Sequence, residues 1–131
     1  MKRKHVLLCI LILVLTVGLF GLPFLFHRAE PKVEEFSLTE CQIKYQWEIE
    51  NFSIQQNVGE VNDKTVAIEH AKSLWLEKYK IDVSEKTIEV AYDTREECWH
   101  IYSKPQRNTV GGVSHALIRK NGDVLAAWCE D

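Results

Sequence analysis

The stretch that decides the fold is K-T-V-A-I-E-H-A-K-S-L-W-L-E-K-Y-K, residues 64–80. Apolar side chains recur in it at spacings of three and four residues, and most charged side chains fall between them. The apolar set is Ala67, Ile68, Ala71, Leu74, Trp75 and Tyr79. This period predicts an amphipathic helix with one face for a core, capped at its start by Asn62 or Asp63.

On the carboxyl side of this helix the hydrophobic period falls to two. It predicts four strands, at residues 88–92, 98–103, 113–120 and 124–129. The dipeptide Asn121-Gly122 predicts a type I′ hairpin between the last two strands, because that turn needs positive φ at both central residues.

On the amino side, apolar and polar residues alternate from Ile43 to Ile49, which predicts a further strand. The polar run at residues 51–62 predicts a loop. One main helix on a curled antiparallel sheet of four or five strands is an α+β design of the cystatin-like or nuclear-transport-factor-2-like kind. The sequence predicts this domain over residues 38–131.

The N-terminal segment is an almost unbroken apolar run over residues 6–26, preceded by Lys2, Arg3 and Lys4. Such a run is long enough to cross a hydrocarbon core of about 30 Å, and a positive amino end stays in the cytoplasm. Residues 1–26 are therefore predicted to form a transmembrane helix and residues 27–37 a tether. The protein would be a single-pass cell-membrane protein with an extracytoplasmic (periplasmic) domain. A cleaved signal peptide, which would release the domain into the periplasm, is the alternative.

Charge separates the two parts of the chain. The 131 residues carry −3 in total and the first 26 carry +3, so the remainder carries −6. An acidic domain of this kind argues against a nucleic-acid partner, which normally requires a basic patch. The length also excludes a large multidomain enzyme.

Four sequence pieces stand in a recognisable order along the chain. They are Ala67-Ile-x-x-Ala-x-x-x-Trp75, Trp99-x-Ile101, Gly111-Gly-Val113 and Ile118-x-Lys-x-Gly122-x-Val-Leu125. Over residues 61–131 the chain resembles the nuclear-transport-factor-2-fold immunity proteins of bacterial polymorphic toxin systems. The resemblance implies a protein that binds and neutralises a cognate toxin, with no catalytic residues and no cofactor. Family members often have a glycine after the helix tyrosine, where this chain has Lys80.

Candidate toxin-binding residues lie at the predicted turn between the first two strands of the meander. Asp93, Glu96 and Glu97 would steer a basic toxin patch toward the domain, since opposite charges speed encounter. The alternative is that these carboxylates only keep the domain soluble. Cys98 and Cys129, on strands of the same sheet, are a candidate disulfide in an oxidising compartment, and buried thiols are the alternative.

Residue types that bind zinc occur on the predicted strands: Cys98, His100, His115 and Cys129. Counting back from the Asn-Gly turn places Cys129 opposite Ser114 and His115 opposite Trp128. Neighbouring residues of a strand face apart, so the set does not converge and no metal site is predicted.

Two other functions remain open as alternatives to toxin binding. A dyad of His100 with Asp93 or Glu97 would suit a small extracytoplasmic hydrolase or isomerase that uses a cavity on the same fold. The hairpin ending Asn-Gly-Asp-Val-Leu also occurs in small peptidase-inhibiting modules.

Overall fold

The computed structural model describes residues 32–105 and 112–130. In this part of the chain three helices and six strands follow one another: β1 (Glu34–Glu35), α1 (Leu38–Lys44), α2 (Gln46–Asn51), β2 (Ser53–Asn57), α3 (Lys64–Tyr79), β3 (Thr87–Asp93), β4 (Cys98–Lys104), β5 (Ser114–Arg119) and β6 (Asp123–Cys129). Among these elements no helix has the length and apolarity to cross a membrane. The predicted anchor at residues 1–26 lies outside the described residues.

The six strands form one sheet in the order β1-β3-β4-β5-β6-β2. The short β1 pairs with β3 in parallel, and every other neighbouring pair is antiparallel. The predicted α+β class and the four-stranded meander β3–β6 are confirmed. The sheet is mixed and six-stranded, whereas four or five antiparallel strands were predicted.

The long helix α3 forms where its sequence period predicts it. Asp63 caps its start, because a side-chain oxygen of Asp63 accepts a hydrogen bond from the Val66 N–H at 2.9 Å. The helix ends at Tyr79, and Lys80 follows in the left-handed conformation with φ +57°. Ala67, Ala71, Leu74 and Trp75 are buried against one face of the sheet, and a large apolar side chain buried there contributes about 1.5–3 kcal/mol.

The predicted strand at residues 43–49 is wrong, because α1 and α2 occupy this segment. Leu38, Cys41, Tyr45 and Ile49 all pack in one apolar cluster, and their spacings of three and four residues are helical. The apparent alternation of apolar residues depended on Ile43, which is exposed on α1. The segment is helical because the helical arrangement buries more apolar side chains than the strand arrangement would.

The predicted loop at residues 51–62 contains the edge strand β2, and the predicted tether contains β1. β2 is mostly polar, and Ile54 is its contribution to the core. An edge strand exposes much of its surface, so it has no strong hydrophobic signature. Backbone pairing with β6, at Ser53 with Ala126 and at Asn57 with Asp123, determines its position.

The hairpin between β5 and β6 turns at the predicted place, but not as a type I′ turn. Gly122 has φ +96°, whereas Asn121 does not have positive φ. The Gly122 N–H donates to the Arg119 carbonyl at 2.9 Å, so the turn spans Arg119–Gly122. A side-chain oxygen of Asn121 accepts from the Asp123 N–H at 3.0 Å, which stabilises this longer turn.

Both faces of the sheet are covered by different elements. One apolar cluster joins α3 to Trp99 and Ile101 of β4. A second cluster, on the opposite face, joins α1 to Cys98 of β4 and Leu117 of β5. The second face is incompletely filled, and a cavity remains beside α1.

Candidate functional site

The cavity on the second face of the sheet has a volume of about 610 Å³. Its wall comes from β1, α1 and the strands β3–β5, together with residues beside them. The lining residues are Glu34, Glu35, Phe36, Ser37, Glu40, Cys41, Lys44, Tyr45, Ala91, His100, Tyr102, Lys104, Val113, His115 and Glu130. Strand register explains why two histidines meet here: Tyr102 pairs with His115 and His100 with Leu117, so the two imidazoles are diagonal neighbours on one face.

A chain of hydrogen bonds links a carboxylate to these two histidines. Nε2 of His115 lies 3.2 Å from a carboxylate oxygen of Glu130, and Nδ1 of His115 lies 3.0 Å from Nε2 of His100. An ionised carboxylate only accepts, so this network assigns the hydrogen of His115 to Nε2. Nδ1 of His115 then accepts from Nε2–H of His100, and Nδ1 of His100 keeps its lone pair.

Burial keeps both imidazoles neutral. It lowers the pKa of His100 to about 3, with smaller contributions in the same direction from His115 and Lys44. Burial also lowers the pKa of His115, although its hydrogen bond to Glu130 acts in the opposite direction. The His115–Glu130 contact at neutral pH is therefore a hydrogen bond from a neutral imidazole, not an ion pair. A neutral His100 with so low a pKa is also a weak base.

Aromatic rings surround the histidine pair. The ring centroids of Phe36 and Tyr102 lie 5.5 and 5.1 Å from that of His100. Tyr45 lies 5.0 Å from His115, and the Trp128 ring stacks on His115 at 4.8 Å. These ring contacts pack both imidazoles on their flanks and restrict their movement within the cavity wall.

The Tyr102 hydroxyl takes part in a second polar cluster, with Glu89 and Lys104. It donates to a carboxylate oxygen of Glu89 at 3.1 Å, and the other oxygen of that carboxylate lies 2.7 Å from the Lys104 ammonium. Burial and the hydrogen bond to Glu89 raise the pKa of Tyr102 to about 12. The phenol therefore stays protonated, and Lys104 is already paired with a carboxylate outside the cavity lining.

Two large apolar side chains are exposed on α1 and α2. Ile43 is 73 % exposed and Trp47 is 63 % exposed. Trp47 is held by an edge-on contact with Phe52, whose ring centroid lies 5.9 Å away. Aromatic side chains such as that of Trp47 are enriched in the surfaces by which proteins contact one another.

The predicted acidic turn divides into a buried and an exposed part. Asp93 is only 6 % exposed, and its carboxylate accepts from the N–H groups of Leu38, Arg95 and Glu96 at 2.7, 2.8 and 3.1 Å. The bond from Leu38 is the main reason why the pKa of Asp93 is lowered. Asp93 thus anchors α1 to the sheet, whereas Glu96 and Glu97 lie on the surface. Their role in binding stays a prediction.

The dyad of His100 with Asp93 or Glu97, considered as an alternative, does not appear among these contacts. The hydrogen bonds of Asp93 go to backbone groups, and the carboxylate that reaches His100, through His115, belongs to Glu130. The register expected for the zinc-type residues is confirmed, since Ser114 pairs with Cys129 and His115 with Trp128. Across the described residues no group of three metal-ligating side chains converges.

The predicted disulfide between Cys98 and Cys129 is wrong. Cys98 lies opposite Arg119 and Cys129 opposite Ser114, at the two ends of β5. At about 3.4 Å per residue the two ends are roughly 17 Å apart, and a disulfide needs Cα atoms within about 7 Å. Cys41 and Cys98 are buried in the second apolar cluster. Burial raises their pKa values, to about 11 for Cys41 and about 12 for Cys98, so both remain unreactive thiols.

Sequence reasoning missed Glu130, Lys44 and Tyr45 as parts of the site. Glu130 follows the last strand directly, and its N–H pairs with the Val113 carbonyl, so extending the predicted register by one residue would have found it. Lys44 and Tyr45 were placed on a strand, which concealed their position over the second face. No protein-family model, curated protein or solved structure matches the chain.

Proposed function

We propose that this protein is a membrane-anchored immunity protein, which binds a cognate bacterial toxin stoichiometrically and neutralises it without catalysis. The observation that carries the proposal is the exposure of two large apolar side chains, Ile43 on α1 and Trp47 on α2. Trp is enriched among the residues that dominate binding energy, and an indole loses little conformational entropy when a partner covers it. The partner would be a protein toxin, and the membrane contact would be made by residues 1–26.

The sequence resemblance to toxin-immunity proteins agrees with two backbone features. Lys80 has φ +57°, the conformation that glycine favours, at the position where those proteins often have glycine. Gly122, a member of the last motif, has φ +96° and lies against the backbone of Gly59. These features support a cystatin-like or nuclear-transport-factor-2-like domain, which is part of the proposal.

The chemistry of the cavity also favours binding over turnover. A general base works best when its pKa lies near the working pH, whereas burial lowers the pKa of His100 to about 3. Nε2 of His100 is engaged with His115, which in turn is engaged with Glu130. Such a network fixes the shape and polarity of a recognition site.

The test is a protection experiment with the products of neighbouring genes. Each product is expressed in the periplasm of a bacterial host, alone and together with the full 131-residue chain. We expect one product to arrest growth, the chain to restore it, and the two proteins to form a 1:1 complex. If every growth-arresting product remains toxic in the presence of the chain, the proposal is wrong.

Two matched variants locate the binding surface in this experiment. Trp47→Ala removes the exposed indole of α2. Leu76→Ala removes a side chain that is 54 % exposed on α3, which covers the other face of the sheet. We expect Trp47→Ala to weaken the complex by about 30-fold, which corresponds to about 2 kcal/mol. Leu76→Ala should change the affinity less than about twofold. Equal effects would exclude the α1–α2 surface.

The Glu130–His115–His100 chain favours a second candidate, a small extracytoplasmic hydrolase or isomerase. A carboxylate that orients an imidazole is a common arrangement in general acid–base sites. Under this alternative the wild-type chain would turn over an activated ester or an isomerisable ketone, and His115→Gln would abolish the turnover. Protection against a toxin would then be absent.

A further inference from the structure

The cavity lining carries charged side chains that play no part in binding through Ile43 and Trp47. Four carboxylates line it, on Glu34, Glu35, Glu40 and Glu130. Two lysines also line it, but the Lys104 ammonium lies 2.7 Å from a carboxylate oxygen of Glu89. The lining therefore presents an excess of negative charge to whatever enters.

The interior of the cavity is aromatic. Phe36, Tyr45 and Tyr102 all lie within 6.5 Å of the His100 ring, measured between ring centroids. The Lys44 ammonium already lies 4.8 Å from the Tyr45 ring centroid, so this ring is placed to hold a cation. Aromatic faces combined with carboxylates favour an organic cation over a hydrated metal ion.

The histidine pair adds a hydrogen-bond acceptor without adding positive charge. Both imidazoles are neutral because they are buried, so they do not repel a cation. In the tautomers that the Glu130 carboxylate imposes, Nδ1 of His100 accepts, and one oxygen of Glu130 remains for a second bond. The cavity thus offers planar rings and separate acceptors.

We infer that this cavity receives the guanidinium group of an arginine side chain that a protein partner presents. Guanidinium is planar, stacks on aromatic faces and carries five N–H donors. The compact ammonium of lysine cannot stack and cannot form paired, bidentate hydrogen bonds. The inference rests on the proposed function for the identity of the partner, a basic toxin surface. The chemistry of the cavity stands independently of that identity.

The test uses the full chain in non-ionic detergent micelles, with ¹³C-labelled histidine. The probe is the peptide acetyl-Ala-Arg-Ala-amide, and its counterpart with citrulline replaces the cation by a neutral group of the same shape. We expect the arginine peptide to shift the ring signals of His100 and His115 saturably, with a dissociation constant on the order of 1 mM. His70, on α3 and outside the cavity lining, serves as the internal control. The citrulline peptide should leave all three signals in place.

Three variants test both the direction and the magnitude of the expected change in arginine affinity. Glu130→Gln should weaken arginine binding about tenfold, because it removes a charged acceptor. Glu77→Gln removes the same charge from the exposed surface of α3, outside the cavity lining, and should change binding less than about twofold. Lys44→Met should strengthen binding roughly threefold, because it removes the cation that competes for the Tyr45 ring.

Some outcomes would overturn the inference. These are an absence of saturable shifts at about ten times the expected dissociation constant, equal shifts from the citrulline peptide, and equal losses in Glu130→Gln and Glu77→Gln. Methylguanidinium binding as tightly as the peptide would indicate a site for a free small cation and would exclude the partner's side chain. None of these results depends on the toxin, so an arginine-binding cavity without toxin protection would refute the proposed function alone.

Discussion

The contact between Gly122 and Gly59 provides a sharp test of how the hairpin and the loop before α3 hold each other. Both glycines have positive φ, +96° and +85°. A Cβ added to Gly122 would lie 2.3 Å from the carbonyl oxygen of Gly59, whereas a Cβ added to Gly59 would meet nothing within 4 Å. The two alanine variants therefore share the backbone cost and differ in the steric cost.

The expected magnitudes follow from the contacts. Alanine in the left-handed region costs about 1 kcal/mol at either position. At Gly122 the loop must also move away, which breaks the bonds from Val58 N–H to the Gly122 carbonyl (2.9 Å) and from Val61 N–H to the Lys120 carbonyl (2.8 Å). Each bond contributes about 1 kcal/mol net. Gly122→Ala should thus lower the free energy of unfolding by about 3 kcal/mol, and Gly59→Ala by about 1 kcal/mol.

Thermal unfolding of the full chain in non-ionic detergent, followed by near-UV circular dichroism, measures this difference. A gap of about 2 kcal/mol between the variants corresponds to roughly 10 °C in Tm for a domain of this size. If the two alanine variants melt at the same temperature, the loop yields without losing its hydrogen bonds, and the reasoning from the close approach is refuted.

Three further perturbations test the described contacts. Lys80→Gly should raise the free energy of unfolding by about 0.5–1 kcal/mol, because glycine adopts φ +57° without strain; an unchanged or lower Tm would contradict this. Asp93→Ala should lower the free energy of unfolding by about 3 kcal/mol in urea titrations, since three backbone N–H groups lose a charged acceptor. The control Glu96→Ala, at an exposed residue, should change it by less than about 0.5 kcal/mol. Equal effects of the two variants would contradict the anchoring role of Asp93. His100 has a folded-state pKa of about 3 and an unfolded-state pKa of about 6.5, so the unfolded chain takes up its proton first on acidification. The neutral His100 therefore costs no stability above pH 6.5, and the free energy of unfolding falls between pH 6.5 and pH 3 by up to about 1.4 kcal/mol per pH unit. His100→Gln should reduce this slope in urea titrations at pH 7, 6, 5 and 4.

The part of the domain after Val61 could be predicted from sequence because its signals are local. α3 has a consistent helical period and an Asp63 cap, and the meander has turns that divide its strands. The turn type at Asn121-Gly122 was wrong because its geometry depends on a distant neighbour. The Gly59 segment packs on Gly122 and bonds to it, and no local rule reports such a contact.

The part of the domain before Val61 was harder to predict because its apolar residues fit both a strand period and a helical period. Ile43, Tyr45, Trp47 and Ile49 satisfy a strand period, while Leu38, Cys41, Tyr45 and Ile49 satisfy a helical one. Short helices gain their stability from packing on other elements, so the choice is made by the sheet face that the segment covers. The first helix is fixed by the long-range bond from Leu38 N–H to Asp93, over 55 residues of sequence.

The segment that sequence reasoning misread also carries the surface on which the proposals depend. A chain that only had to fold would place Ile43 and Trp47 in the core or replace them with polar residues, since their exposure leaves apolar area in water. It would also fill the space above His100 and His115 with apolar side chains, since a buried polar network stabilises a fold only when every member is satisfied. The histidine pair and the cavity lie on the sheet face that α1 covers, whereas the face beneath α3 is closed by apolar packing. Exposure of a large apolar side chain is not confined to α1 and α2, since Leu76 on α3 is also exposed. Conflicts between local pattern and fold are expected where function constrains the sequence. If the proposed toxin complex forms, substitutions that weaken it without unfolding the domain should concentrate on α1, α2 and the cavity.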